Sequence, residues 1–293
     1  MKKYNMAKPY DKEVLDKLHN VHLEIIRDFQ NVCEKHNLTA FALYGTAIGA
    51  VRHKGFIPWD DDIDMGMFRE EYEKFLQIAR TELKDKYQIL TPEIDKNYAC
   101  SVTHLQHKGT RFVPLFSKDL KCDMCIDLDI FVFDRIAPTK RLQKKQERYT
   151  EFYRKLLFLA GTPYPVIPLE GIAGTVAGAV CFVIHYILKL FHISPKWIYR
   201  KYKKHATMYD STNMEYVTDF ECDHAMKYKI LKNDMFPMKT VAFENINVKV
   251  PQNINVMLSE MYGDYMKMPP KEQRINHAPY IIQFEGEEPI INE

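Results

Sequence analysis

Between Ile57-Pro58-Trp59 and Met65-Gly66-Met67 the chain sets four aspartates in five positions: Asp60, Asp61, Asp62 and Asp64. Charges of one sign packed this closely repel, so a fold containing them must solvate the run or set positive charge against it. The residues that follow narrow the choice. From Asp62 to Met65 polar and apolar side chains alternate, as they do in a half-buried strand. That alternation turns Asp62 and Asp64 to one face and Ile63 and Met65 to the core. Two carboxylates so related suit hard divalent cations that prefer oxygen ligands, Mg²⁺ or Mn²⁺. Residues 125–133, CIDLDIFVF, repeat the device: Asp127 and Asp129 share one face, and Leu128, Ile130 and Val132 the other. A solvated strand face explains either pair alone. Both pairs in one chain favour a metal site.

Upstream, AFALY at 40–44 reads as a short buried strand ending in Gly45-Thr46, and AIGAVRH as one or two helical turns. A helix start presents unpaired N–H groups and the positive end of the helix dipole to a phosphate. Gly45 permits close approach and Thr46 adds a hydroxyl. A phosphate cradle followed by Asp-x-Asp and a later strand carboxylate is the plan of metal-dependent phosphoryl or nucleotidyl transfer. Apolar spacing predicts an amphipathic helix over 11–36, another after Phe68, and two or three strands between 87 and 116. The pattern implies an α/β or α+β catalytic core over residues 1–135.

Beyond it, 136–215 reads as helical and 216–293 as a smaller β/α region, with a hairpin in FPMKTVAFENINVKVP and a helix ending near Gly263. Residues 171–188, GIAGTVAGAVCFVIHYIL, carry no formal charge with His neutral, and lie between Glu170 and a basic tail of Lys189, Lys196, Arg200, Lys201, Lys203 and Lys204. A buried helix or helical hairpin is the leading expectation. A segment resting on a membrane through 171–204 comes second, and a span, at the short end of the required length, third. The formal charge of +2 argues against a nucleic-acid partner. Six cysteines with no secretory leader imply reduced thiols in the cytoplasm, and the membrane-resting alternative for 171–204 would place the protein at the inner membrane face. Cys122 and Cys125 stand at zinc-ligand spacing, with Cys222 and His224 as a second half, but buried thiols are the favoured reading.

The segment YGTAIGAVRHKGFIPWDDDIDMGM closely resembles the signature of the LicD family, which includes bacterial phosphocholine transferases and the fukutin-related proteins. IDLDIFVFD, FPMKTVAFENINVKVP and MYGDYMKMPPKEQRINH continue the likeness over about residues 20–135 and 230–280. The resemblance implies an α+β fold, a nucleotidyltransferase-like mixed sheet flanked by helices. A largely helical insertion and a C-terminal region completing the active site would be added to it. It implies transfer of a phosphorylated alcohol, such as phosphocholine, from a CDP-alcohol donor like CDP-choline to a glycan hydroxyl, with CMP released. Such glycans belong to cell-surface polymers, teichoic acid or lipopolysaccharide, and are often lipid-linked during assembly. Asp62 and Asp64 match the metal-binding Asp-x-Asp and Asp129 the third carboxylate, while Gly45 and Thr46 replace the Gly-Ser pair of the wider superfamily. The gap from Gly45 to Asp62 exceeds that superfamily's usual spacing, so Asp60 and Asp61 stay candidate ligands.

Roles for the other residues follow from their chemistry. Asp127 or Asp129 would deprotonate the acceptor. Arg52 would neutralise diphosphate through its planar fork. Trp59 would anchor the loop, stack on a base or contact a choline headgroup. His53, Arg274 and His277 are secondary candidates for phosphate binding or proton transfer. Tyr262 and Tyr265 read as packing residues. Two rivals stand: a nucleotidyltransferase moving the nucleotide itself to a small-molecule or sugar acceptor, and a non-catalytic glycan- or membrane-binding protein of the same fold.

Overall fold

Helix α1 (Lys12–Lys35) lays Leu18, Ile25, Ile26 and Phe29 against the sheet, each fully buried, so the apolar spacing becomes a packing face. The protein's structure, a computed structural model, describes residues 11–118, 120–165, 167, 169, 171–274, 276 and 279–292. After α1 come β1 (Ala40–Ala42), α2 (Tyr44–Ile48), β2 (Asp64–Phe68), α3 (Arg69–Glu82), β3 (Tyr87–Leu90), β4 (Thr103–His107), β5 (Arg111–Pro114) and β6 (Asp127–Arg135). The main sheet runs β1-β2-β6-β4-β3, with β2 parallel to β6 and the other pairs antiparallel. This mixed sheet flanked by helices is the α+β architecture expected. Three helices follow: α4 (Lys140–Gly161), α5 (Gly171–Leu190) and α6 (Pro195–Ala206).

The C-terminal stretch is woven back into the core. Strand β7 (Tyr216–Asp219) pairs with the end of β6 beyond β4, and β8 (Ile230–Leu231) pairs with β7. Strands β9 (Lys239–Phe243) and β10 (Ile246–Val250) form the expected hairpin, followed by α7 (Ile254–Tyr262). Strand β11 (Pro279–Gln283) pairs with β5 and with β12 (Ile290–Ile291). Phe243, Val248, Leu258 and Ile282 join the core built by α1 and the sheet.

Two findings correct the sequence reading. Strand β2 is buried along its whole length, not half-buried, because β1 and β6 flank it and α2 packs over it. Gly66, opposite Phe41 in the ladder, leaves room for the Phe41 ring: a Cβ there would lie 2.3 Å from a ring carbon. The second correction concerns α5, which is not a buried helix. Only Gly174, His185 and Leu188 are buried, whereas Ile172, Val176, Val180, Val183, Ile187 and Leu190 form an exposed stripe. Ile172 is 85% exposed and Leu190 72%. Its inner face meets α4, where a His185 Nδ1···Leu159 O hydrogen bond of 2.7 Å fixes the contact. Among the described residues α5 is the one helix long and apolar enough to cross a membrane.

Candidate active site

The sheet register brings the two acidic strands together. Asp64 on β2 pairs directly with Asp129 on parallel β6, and Asp129 lies opposite His104 on antiparallel β4. Paired residues project to the same face, so Asp64, Asp129 and His104 form a row across three strands. Asp127 stands two residues before Asp129, on the same face of β6. His104 Nδ1 is 3.0 Å from Asp127 Oδ2 and in contact with Asp129 Oδ1. Neither His104 Nδ1 nor Asp129 Oδ1 has an aligned hydrogen-bond partner among the described residues.

The row is electrostatically tense. Burial pushes the Asp64 carboxyl well above the ordinary range, and Asp62, Asp129 and Asp60 push it further, against a hydrogen bond from the Gly45 N–H. Burial also raises Asp127, with His104 opposing. His104 is the counterweight: burial disfavours its cation, but the fields of Asp129 and Asp127 prevail and raise it well above the usual imidazole value. The ring of Tyr98 backs it edge-on at 5.4 Å. Beside this row, carboxylate oxygens of Asp60, Asp61 and Asp62 lie within 4.8 Å of one another, with Asp61 buried.

The first turn of α2 closes over the acids. Tyr44 takes φ 44°, a left-handed conformation that is strained for a bulky residue. Its hydroxyl donates to Asp219 Oδ2 at 2.6 Å, and its ring packs edge-on against Phe131 at 5.0 Å. Gly45 follows, where a Cβ would lie 2.7 Å from Asp60 Oδ2, so glycine is required for this approach. Thr46 is buried, and its Oγ1 accepts the Asp64 N–H at 2.8 Å, tying the turn to the start of β2.

A basic and aromatic fringe borders Asp60. Arg52 donates to Tyr265 O at 2.5 Å and to His53 Nε2 at 2.9 Å. Burial and the nearby Arg274 lower its pKa, while Asp60 raises it. The Arg274 guanidinium lies 5.1 Å from the centre of the Trp59 ring. Burial and Arg52 lower His53. Tyr262, read from sequence as packing, is 48% exposed, and its hydroxyl is pushed upward by burial and by Asp64, Asp60 and Asp62. It therefore borders the acids. Tyr265 is buried, as a packing residue should be. His277 lies outside the described residues.

Sequence reasoning missed His104, Tyr44 and Asp219. His104 alternates with Gln106 in THLQH, in phase with Asp129 and Asp127, but that phase exists only once β4 is registered on β6. The assembled surface can hold a divalent cation. It offers hard carboxylate oxygens from two strands and a buried Asp64 whose charge a cation would relieve.

Residues 37–171 match the family described as LicD/FKTN/FKRP, nucleotidyltransferase domain. They form a LicD-family domain. Along 270 residues the chain is 28% identical to the lipopolysaccharide cholinephosphotransferase LicD of Haemophilus influenzae, covering 87% of this chain and 92% of that protein. Uncharacterised proteins of Rickettsia typhi and Rickettsia prowazekii are each 40% identical, over 55 and 48 residues respectively, about a fifth of each chain. The LicD domain contains the whole acidic row with Gly45, Thr46, Arg52 and Trp59, whereas Tyr262 and Arg274 come from the chain beyond it.

Proposed function

We propose that this protein is a metal-dependent phosphotransferase. It moves phosphocholine, or a closely related phosphorylated alcohol, from a CDP-linked donor to a glycan hydroxyl and releases CMP. The observation that carries this reading is the direct pairing of Asp64 with Asp129 across β2 and β6. Support comes from the family of residues 37–171 and from the likeness, over 87% of the chain, to a cholinephosphotransferase.

Asp64, Asp129 and Asp62 would hold Mg²⁺ or Mn²⁺, with Asp60 and Asp61 as further oxygen donors. When bound, the cation neutralises the donor diphosphate and polarises the phosphorus under attack. Gly45, whose bare Cα admits the Asp60 carboxylate, keeps the first turn of α2 against the acids that would meet the diphosphate. Asp127 accepts the proton of the glycan hydroxyl as its oxygen bonds to the phosphorus bearing the alcohol, and the bond from that phosphorus to CMP breaks. Protonated His104 holds Asp127 in position and offsets the negative charge of the site. Arg52 and Arg274 stabilise the departing CMP, and Trp59 offers a stacking face to its base. The donor is a cytoplasmic type of metabolite, so we place the protein in the cytoplasm. The exposed stripe of α5 and the basic residues up to 204 would rest on the inner membrane face, where a lipid-linked acceptor is presented.

The test is product analysis with CDP-choline, a lipopolysaccharide acceptor and Mg²⁺. CMP together with choline-bearing glycan is expected. Pyrophosphate from a nucleoside triphosphate, with the nucleotide on the acceptor, would favour nucleotidyl transfer. If no CDP-alcohol is consumed in a metal-dependent way, the protein is not this enzyme.

A further inference from the structure

Past the acidic row, β6 runs into a cavity of about 450 Å³. Phe131, two residues after Asp129 and on the same face, forms one wall. Ser101 from the segment entering β4, Arg154 and Phe158 from α4, Cys181 from α5 and Glu221 beyond β7 supply others. The cavity therefore shares β6 with the acids, and Tyr44 packs on Phe131 between it and the Gly45 turn. None of the residues bordering Asp60 (Arg52, Trp59, Arg274, Tyr262) lines it.

The lining has a definite chemistry. Glu221 accepts from the Ser101 hydroxyl on one oxygen and from the Tyr202 hydroxyl on the other, and each oxygen keeps accepting capacity. Arg154 contacts Asp223 through Nη2, while its Nε is buried without a hydrogen-bond partner among the described residues. Phe131 and Phe158 add apolar surface. A sugar ring matches such a lining: its C–H face packs on aromatic side chains while its hydroxyls donate and accept. A quaternary ammonium does not. It makes no hydrogen bonds, and Arg154 and Lys155 offset Glu221, the one carboxylate of the lining.

We propose that this cavity is the acceptor subsite, holding a sugar residue of the glycan on the Phe131 side of Asp129. The assignment rests on the phosphotransferase reading. With Cys181 of α5 in its wall, the cavity also borders the apolar helix, so a lipid-linked glycan would meet both.

Saturation-transfer NMR on the full chain tests this, with no donor or metal present. The probes are the methyl glycosides of glucose, galactose and N-acetylglucosamine, with choline chloride as the contrasting ligand. At least one glycoside is expected to bind and to be undisplaced by choline. Its affinity should fall about tenfold in Phe158→Ala, the scale for losing one apolar contact surface in a pocket. Cys181→Phe, which fills the cavity from the α5 side, should lower it comparably and guards against a folding defect in the first variant. Absence of glycoside binding to the wild type would overturn the proposal, as would choline binding that Phe158→Ala abolishes. Glycoside binding that neither variant weakens would overturn it too. Loss of the CMP-releasing reaction with glycoside binding intact would strike the proposed chemistry and leave the cavity assignment standing.

Discussion

Asp64 carries two opposed burdens. Its carboxylate is buried among Asp62, Asp129 and Asp60, which is costly in the metal-free protein, and it is an indispensable oxygen in the proposed chemistry. Asp64→Asn should therefore stabilise the metal-free chain, by about 1–2 kcal/mol, while lowering turnover about 10³-fold or more. Urea denaturation in EDTA and CMP release at saturating Mg²⁺ check the two halves separately. Near-normal turnover would remove Asp64 from the metal site. His22 makes a pH prediction away from this site. Burial, with a smaller contribution from His19, lowers its pKa to about 3, and its Nδ1 has no partner among the described residues. The unfolded chain binds a proton there below about pH 6.5 and the folded chain does not, so this group erodes stability as pH falls from 6.5 toward 3 and has no effect above that window. The stability advantage of His22→Leu over wild type should widen by up to about 1.4 kcal/mol per pH unit between pH 6 and 5. A constant difference over that range would show that His22 titrates normally.

At the scale of elements, α5 is the feature with the clearest consequence. Its stripe from Ile172 to Leu190 is apolar and exposed, and the basic residues of α6 follow it. Vesicles containing phosphatidylglycerol should co-sediment the protein more strongly than neutral ones. Replacing Val180 and Val183 together by Glu should cut binding about tenfold without unfolding the chain, because neither side chain is buried. If the wild type instead forms a dimer that these substitutions dissociate, the stripe is a protein interface. Sequence predicted this helix but not its exposure. Apolar composition says that a segment avoids water; what covers it depends on neighbours far along the chain. The same limit separated Asp127 and Asp129 from His104. Alternation within a strand was visible in CIDLDIFVF, whereas the strand that lies beside it is a long-range fact. The hairpin at β9–β10 and the helix before Gly263 were legible because turn and helix signals are local. Half-burial of β2 was misread because a central strand covered on both faces can still alternate in sequence when its polar residues serve a site.

For the whole molecule, the main sheet and its C-terminal additions form one continuous core, while α4, α5 and α6 build a second cluster around Leu157, Ile198 and Tyr202. A buried ion pair ties α3 to β6: Arg69 Nε donates to Asp134 Oδ1 at 2.7 Å and Nη2 to Oδ2 at 2.9 Å. Removing Asp134 leaves the buried Arg69 with the longer, 3.3 Å contact to the more exposed Glu73. Asp134→Ala should therefore cost about 3–5 kcal/mol, read from a urea midpoint shift at constant slope. A loss below about 1 kcal/mol would mean that water reaches Arg69.

The parallel pairing of β2 with β6 also has a kinetic consequence. The carboxylates of Asp64 and Asp129 meet only after α3, β3, β4 and β5 have been threaded between them, so an early folding nucleus made of local contacts has no cation site. Mg²⁺ should accordingly leave the refolding rate almost unchanged and slow the unfolding rate in proportion to its occupancy. In stopped-flow experiments the ion would act as a clasp fastened after the chain has closed.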